Sequence, residues 1–129
     1  MSENPKYKDN LIVQLTFEFA LNIISFSETL NSLKKFNLSN QLFRSGTSIG
    51  ANVKEAQNAE SKADFIHKMK IAIKEAEETE YWLLLCKHSD EYPNSEMLLE
   101  KLTSITKILN KIIGTTKKQI KTSANLLIN

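Results

Sequence analysis

Between Phe43 and Gln57 the chain gathers an arginine, several hydroxyls and two glycines, Gly46 and Gly50, four residues apart. A run of that kind invites a phosphate-binding reading, in which backbone N–H groups, a lysine ammonium and a hydroxyl converge on an anion. The chemistry requires Lys-Ser or Lys-Thr directly after the last glycine. Here Ala51 and Asn52 follow Gly50, and no apolar β-branched strand runs into Gly46. The nucleotide reading fails, and the spacing is instead that of a helix with a small, polar inner face. Arg44, Ser48, Asn52 and Glu55 belong to this helix, while Glu75 and Glu78 stand one turn apart further along the chain. An arginine fork facing carboxylates across small side chains makes a charge-assisted hydrogen-bond network. These six residues are therefore expected to form a structural polar network that fixes the register between helices or subunits.

Other constellations carry less. A bundle di-metal centre needs two Glu-x-x-His motifs and two further inward carboxylates, and the chain offers Asp64-x-x-His67 once. His88 has no carboxylate at the required place. Cys86 follows Leu83-Leu84-Leu85, the setting of a small buried hydrophobe rather than a nucleophile. No catalytic, cofactor-binding or metal-ligating residue is assigned. Glu80 falls within an apolar helical face and shares its line with Lys87, which is expected of an exposed helix end.

The elements that would position these groups are helical. Ile12, Leu15, Phe19, Ile23, Phe26, Leu30 and Leu33 recur at alternating steps of three and four, the seam of a packed bundle. The predicted helices span about 8–35, 39–60 (with Ser39 as N-cap), 62–88 and 95–121. The third carries Phe65, Met69, Ala72, Ala76 and Leu83 on one face; the fourth carries Leu98, Leu102, Ile105, Leu109 and Ile112. Long amphipathic segments with short connections imply an all-α protein, an antiparallel up-down-up-down four-helix bundle occupying residues 1–129 as a single domain. Glycine costs about 1 kcal/mol relative to alanine inside a helix, so Gly46 and Gly50 announce a close neighbour. Tyr81, Trp82 and Leu85 lie roughly opposite the main stripe of the third helix and are candidates for an oligomer interface.

A chain of 129 residues with 41% apolar and 25% charged residues is of ordinary globular composition. Its one cysteine excludes an intramolecular disulfide and fits a reducing compartment. Met1 to Asn10 is polar, unlike a signal peptide, and no window approaches 18 apolar residues. A cytoplasmic protein without membrane contact is expected. The formal net charge of +2 conceals a partition: residues 101–129 carry six lysines and no acid, whereas residues 1–100 carry a net −4. Lys107, Lys111, Lys117, Lys118 and Lys121 are candidate nucleic-acid-binding residues on that account.

Two blocks resemble a known family. Arg44-Ser45-Gly46-Thr47-Ser48-Ile49-Gly50-Ala51-Asn52-Val53-x-Glu55-Ala56 is followed by Ala63-Asp64-Phe65 and Ile71-Ala72-x-Lys74-Glu75-Ala76-x-Glu78-Thr79-x-Tyr81-Trp82-Leu83. They resemble the bacterial four-helix-bundle proteins, also called 23S rRNA intervening-sequence proteins. The resemblance implies a left-handed antiparallel bundle that assembles as a homopentamer. It also implies kinship with the accessory protein of diversity-generating retroelements, a basic pentameric bundle that binds a reverse transcriptase and nucleic acid. No enzymatic activity or small-molecule substrate follows from it. The expected function is a non-enzymatic, homo-oligomeric scaffold or adaptor for RNA or an RNA-handling protein. The competing readings are a pure protein-interaction module and a metal-dependent bundle enzyme with Asp64, His67, Glu75 and Glu78 facing inward.

Overall fold

The computed structural model describes residues 10–128, which form four helices and no strand: α1 (Leu11–Ser32), α2 (Phe36–Ala56), α3 (Lys62–His88) and α4 (Glu96–Ile128). Each helix packs on two others, α2 against α1 and α3, and α4 against α3 and α1. One continuous core results, with Phe19, Ile23, Leu30, Leu42, Ile49, Val53, Met69, Leu83 and Leu109 fully buried. The helix ends are set by identifiable groups. Asn10 caps α1 by accepting from the Val13 N–H at 3.3 Å, and its amide donates to Gln57 Oε1 at 2.9 Å, tying the start of α1 to the end of α2. The expected start near Lys8 lies outside the described residues.

The second helix begins at Phe36 rather than Ser39. Lys34 adopts φ 62°, and the Lys34 and Lys35 N–H groups bond the Asn31 and Leu30 carbonyls at 2.9 and 2.8 Å. That is a Schellman ending built without glycine, so α1 stops within Leu33–Lys35 and α2 starts at once. Ser39 is consequently no cap: it is buried, and its hydroxyl donates to the Ser27 carbonyl at 3.0 Å. Ser95 does the equivalent between α3 and α4, donating to the Leu83 carbonyl at 2.8 Å. Helix α2 ends at Ala56, short of the expected Glu60. Ser61, in extended conformation, then caps α3 by accepting from Asp64 N–H at 3.0 Å.

The two glycines of α2 lie against α1. An added Cβ at Gly46 would stand 2.7 and 2.8 Å from the Ile23 Cγ1 and Cγ2 atoms, and one at Gly50 would stand 3.1 Å from the Thr16 carbonyl oxygen. On α4 the buried line runs Leu98, Leu102, Ile105, Leu109, Ile113 and Thr116, so Ile113 rather than Ile112 takes the inner place. The helix passes through Gly114 without a break and extends beyond the expected end at Lys121. By length and mean hydropathy (1.3), α1 is apolar enough to cross a membrane. Its Ile12, Phe19, Ile23 and Leu30 are nevertheless spent on the shared core, the position of a core helix.

Candidate functional site

The polar network assembles around α2 and α3, in a smaller form than the sequence suggests. The Arg44 guanidinium binds Glu78, and its second nitrogen lies 3.5 Å from Glu75 Oε2. The Trp82 indole N–H donates to the same Glu78 oxygen at 3.1 Å. The indole and then the guanidinium hold the Glu78 carboxyl below its ordinary range, against a desolvation cost that acts the other way. Glu75 Oε2 is buried without a hydrogen-bond partner, its distance to Arg44 being long for one. Beneath this surface fork, the buried Thr79 and Ser45 hydroxyls bond each other across α2 and α3 at 2.9 Å. An outer ion pair and an inner hydroxyl pair thus fix the same helix seam.

Ser48, Asn52 and Glu55 do not join it. Ser48 donates to the Arg44 carbonyl at 2.5 Å, and Asn52 donates to the Ser48 carbonyl at 2.8 Å, so both satisfy their own helix. Glu55 stands about 16 Å along the axis from Arg44 at helical rise, beyond the reach of the guanidinium. The missed members, Trp82, Thr79 and Ser45, did leave a signal: Glu78 and Trp82 are four apart, the helical spacing at which side chains meet. Trp82 is half-buried at the core margin, whereas Tyr81 is 57% exposed and meets the indole edge-on at 5.2 Å. Leu84 and Leu85 are also exposed. The outward patch is therefore Tyr81, Leu84 and Leu85, with Trp82 turned towards Glu78.

The residues of the bundle-enzyme reading are separated. Asp64 pairs with Lys68 at 3.0 Å and is held below its usual range chiefly by that bond. His67 is exposed. Glu75 and Glu78 lie two to three turns further along α3, engaged with Arg44. Among the described residues no group of three or more His, Cys, Asp and Glu side chains is placed to hold a metal ion. Burial alone pushes the Cys86 thiol up to about 11, so it behaves as a small apolar side chain. Glu80 is exposed.

The lysines occupy the outer side of α4. Lys107, Lys111, Lys117, Lys118 and Lys121 are all exposed, and Lys107, Lys111 and Lys118 project opposite the buried line. Lys101, at the inner end of the series, donates to Asn22 Oδ1 of α1 at 3.0 Å.

A family model described as 23S rRNA-intervening sequence protein matches residues 8–111. The chain belongs to that family. A solved relative has the same fold: the crystal structure of a protein of unknown function from the S23 ribosomal protein family of Bacteroides thetaiotaomicron VPI-5482. It is 45% identical, with a TM-score of 0.76, and the alignment covers 79% of this chain and 97% of that one. No curated protein matches the chain. Within the family match fall the Arg44–Glu75–Glu78 fork, both α2 glycines and the Tyr81 patch. The last part of α4 lies beyond it.

Proposed function

We propose that this protein is a non-enzymatic, cytoplasmic homo-oligomer, in keeping with a pentamer, that serves as a scaffold or adaptor for RNA or an RNA-handling protein. Its four helices are read as an antiparallel up-down-up-down bundle. What supports that arrangement is the crossed order of the contacts Gly46 to Ile23 and Gly50 to Thr16, together with the short connections between helices. The observation that carries the function is the outer side of α4, where exposed lysines follow one another with no acid after Glu100. A lysine row on one subunit binds phosphates weakly; repetition around an assembly multiplies it by avidity. No aromatic side chain lies among these lysines to stack on bases, so recognition is of backbone charge and tolerant of sequence.

A second reading, an interaction module that does not touch nucleic acid, is favoured by the exposed Tyr81, Leu84 and Leu85. Light scattering of the full chain with a generic structured RNA, at low and high salt, separates the two. The scaffold reading expects one oligomer that enters a larger complex at low salt and leaves it at high salt. Charge reversal at Lys107, Lys111 and Lys118 is expected to abolish the complex while leaving the oligomer intact. A protein that ignores RNA at every salt concentration returns the reading to the interaction module.

A further inference from the structure

Among the described residues, the last turns of α4 have no partner in their own bundle. Leu109, Ile113 and Thr116 are buried, and Ile120, Ser123 and Leu127 continue their four-three-four-three-four spacing. Beyond Thr116, however, every side chain as far as Leu127 is exposed; Ile120 is 37% and Leu127 88% accessible. Some 12 residues, about 18 Å of helix, thus carry an apolar line past the end of the core. The helix runs unbroken through Gly114, so the segment does not fold back on the earlier turns of α4. The segment lies past the residues that match the family.

Charge selects the cover. Lys117 and Lys121 lie along one side of the apolar line, and α4 has no acid after Glu100, so two such tails would meet as like charges. The outer face of α3 has the opposite character. Glu77, Glu80, Tyr81 and Leu84 stand at i, i+3, i+4 and i+7, one helical face, and all four are exposed. Lys74 precedes this face by a turn, and Lys87 beyond it is turned to Glu96 at 4.0 Å. We propose that the α4 tail of one copy docks on the Glu77–Glu80–Tyr81–Leu84 face of a second copy. Ile120 and Leu127 cover Tyr81 and Leu84, and Lys117 and Lys121 meet Glu77 and Glu80. The contact is head-to-tail, the kind that closes a ring when the rotation from copy to copy divides the circle. It rests on the oligomeric reading above and leaves Lys107, Lys111 and Lys118 outward.

Sedimentation equilibrium on the full chain tests it, with circular dichroism to confirm folding. Each of the pairs Ile120→Asp/Leu127→Asp, Lys117→Glu/Lys121→Glu and Glu77→Lys/Glu80→Lys is expected to weaken association about tenfold or more. Combining the two charge pairs is expected to restore association to within about threefold of the original, because the attraction is re-formed with its signs exchanged. A wild-type chain that stays monomeric removes both this contact and the oligomeric reading. A wild-type oligomer unaffected by Ile120→Asp/Leu127→Asp overturns the tail contact alone. Sensitivity to the tail pair without sensitivity to Glu77→Lys/Glu80→Lys overturns the α3 face as its receptor. Tail variants that keep full association but lose RNA binding assign the segment to nucleic acid and overturn the proposal.

Discussion

Replacing Gly46 by alanine is expected to destabilise the protein, against the usual preference for alanine in helices. The new Cβ would lie 2.7 Å from Ile23 Cγ1 and 2.8 Å from Cγ2. Both atoms branch directly from the Ile23 Cβ, so they cannot swing away like the end of a long side chain, and Ile23 is fully buried. Overpacking of this kind costs about 1–3 kcal/mol, while removing glycine from a helix interior returns about 1 kcal/mol. The net expectation is a loss of up to about 2 kcal/mol. Ile23→Ala removes the obstructing atoms at a cost of about 2–5 kcal/mol of its own. In that background Gly46→Ala should become stabilising by about 1 kcal/mol, a reversal of sign that reports direct contact. Urea unfolding at one fixed protein concentration gives the four stabilities of the cycle, provided the slopes agree. Gly114→Ala is the internal control: nothing lies within 4 Å of its added Cβ, so it should stabilise by about 0.5–1 kcal/mol. Gly50→Ala should fall between them, because its Cβ meets the less yielding Thr16 backbone at 3.1 Å, though not as closely. A Gly46→Ala protein that is stabilised as much as Gly114→Ala would refute the close approach of α1 and α2.

Glu78 has a depressed carboxyl in the folded state, so its contribution is present above the unfolded value near 4.5 and is lost as pH falls through the lower folded value. Glu78→Gln should therefore lower stability at neutral pH, with the difference from wild type vanishing in acid below pH 4.5. The fluorescence of Trp82, the single tryptophan, should report the same titration through its indole bond, and a Trp82 signal flat across that range would contradict the bond. Cys86 should react with Ellman's reagent at pH 8 only as fast as the protein opens, since burial raises its thiol to about 11; rapid labelling of the native protein would place it at the surface. Ser39→Ala and Ser95→Ala should each cost about 1–2 kcal/mol by removing a buried bond between neighbouring helices. Ser27→Ala should be neutral or stabilising, because the Ser27 hydroxyl is buried without a partner, and equal losses at all three serines would show that the bonds play no part.

Much of the molecule was legible in the chain. The three-four recurrence from Ile12 to Leu30 and from Leu98 to Leu109 places helices and their inner faces, because a rigid 3.6-residue period leaves one stripe to bury. The family blocks around Gly46–Gly50 and Tyr81–Trp82 were readable as residues. Less legible were the places where two positions meet. Arg44, Ser48, Asn52 and Glu55 look equivalent on a helix diagram, yet only Arg44 reaches α3, since Ser48 and Asn52 find carbonyls one turn back in their own helix. The early start of α2 is not legible because the αL residue that ends α1 is Lys34, where a glycine would signal the helix end.

The sequence by itself determined the all-helical class, the family, the charge partition at Glu100 and the requirement that Gly46 and Gly50 face something close. Those are properties of local period, composition and backbone volume, which act along the chain. Only the tertiary structure decided that the close neighbour is α1, with Ile23 and the Thr16 backbone in contact, and that Glu78 is shared by Arg44 and Trp82. It also decided that, among the described residues, nothing covers Ile120 and Leu127 on the last turns of α4. Each of these depends on which segments end at the same height and which side chains then converge, distances set by packing between helices rather than by spacing within one.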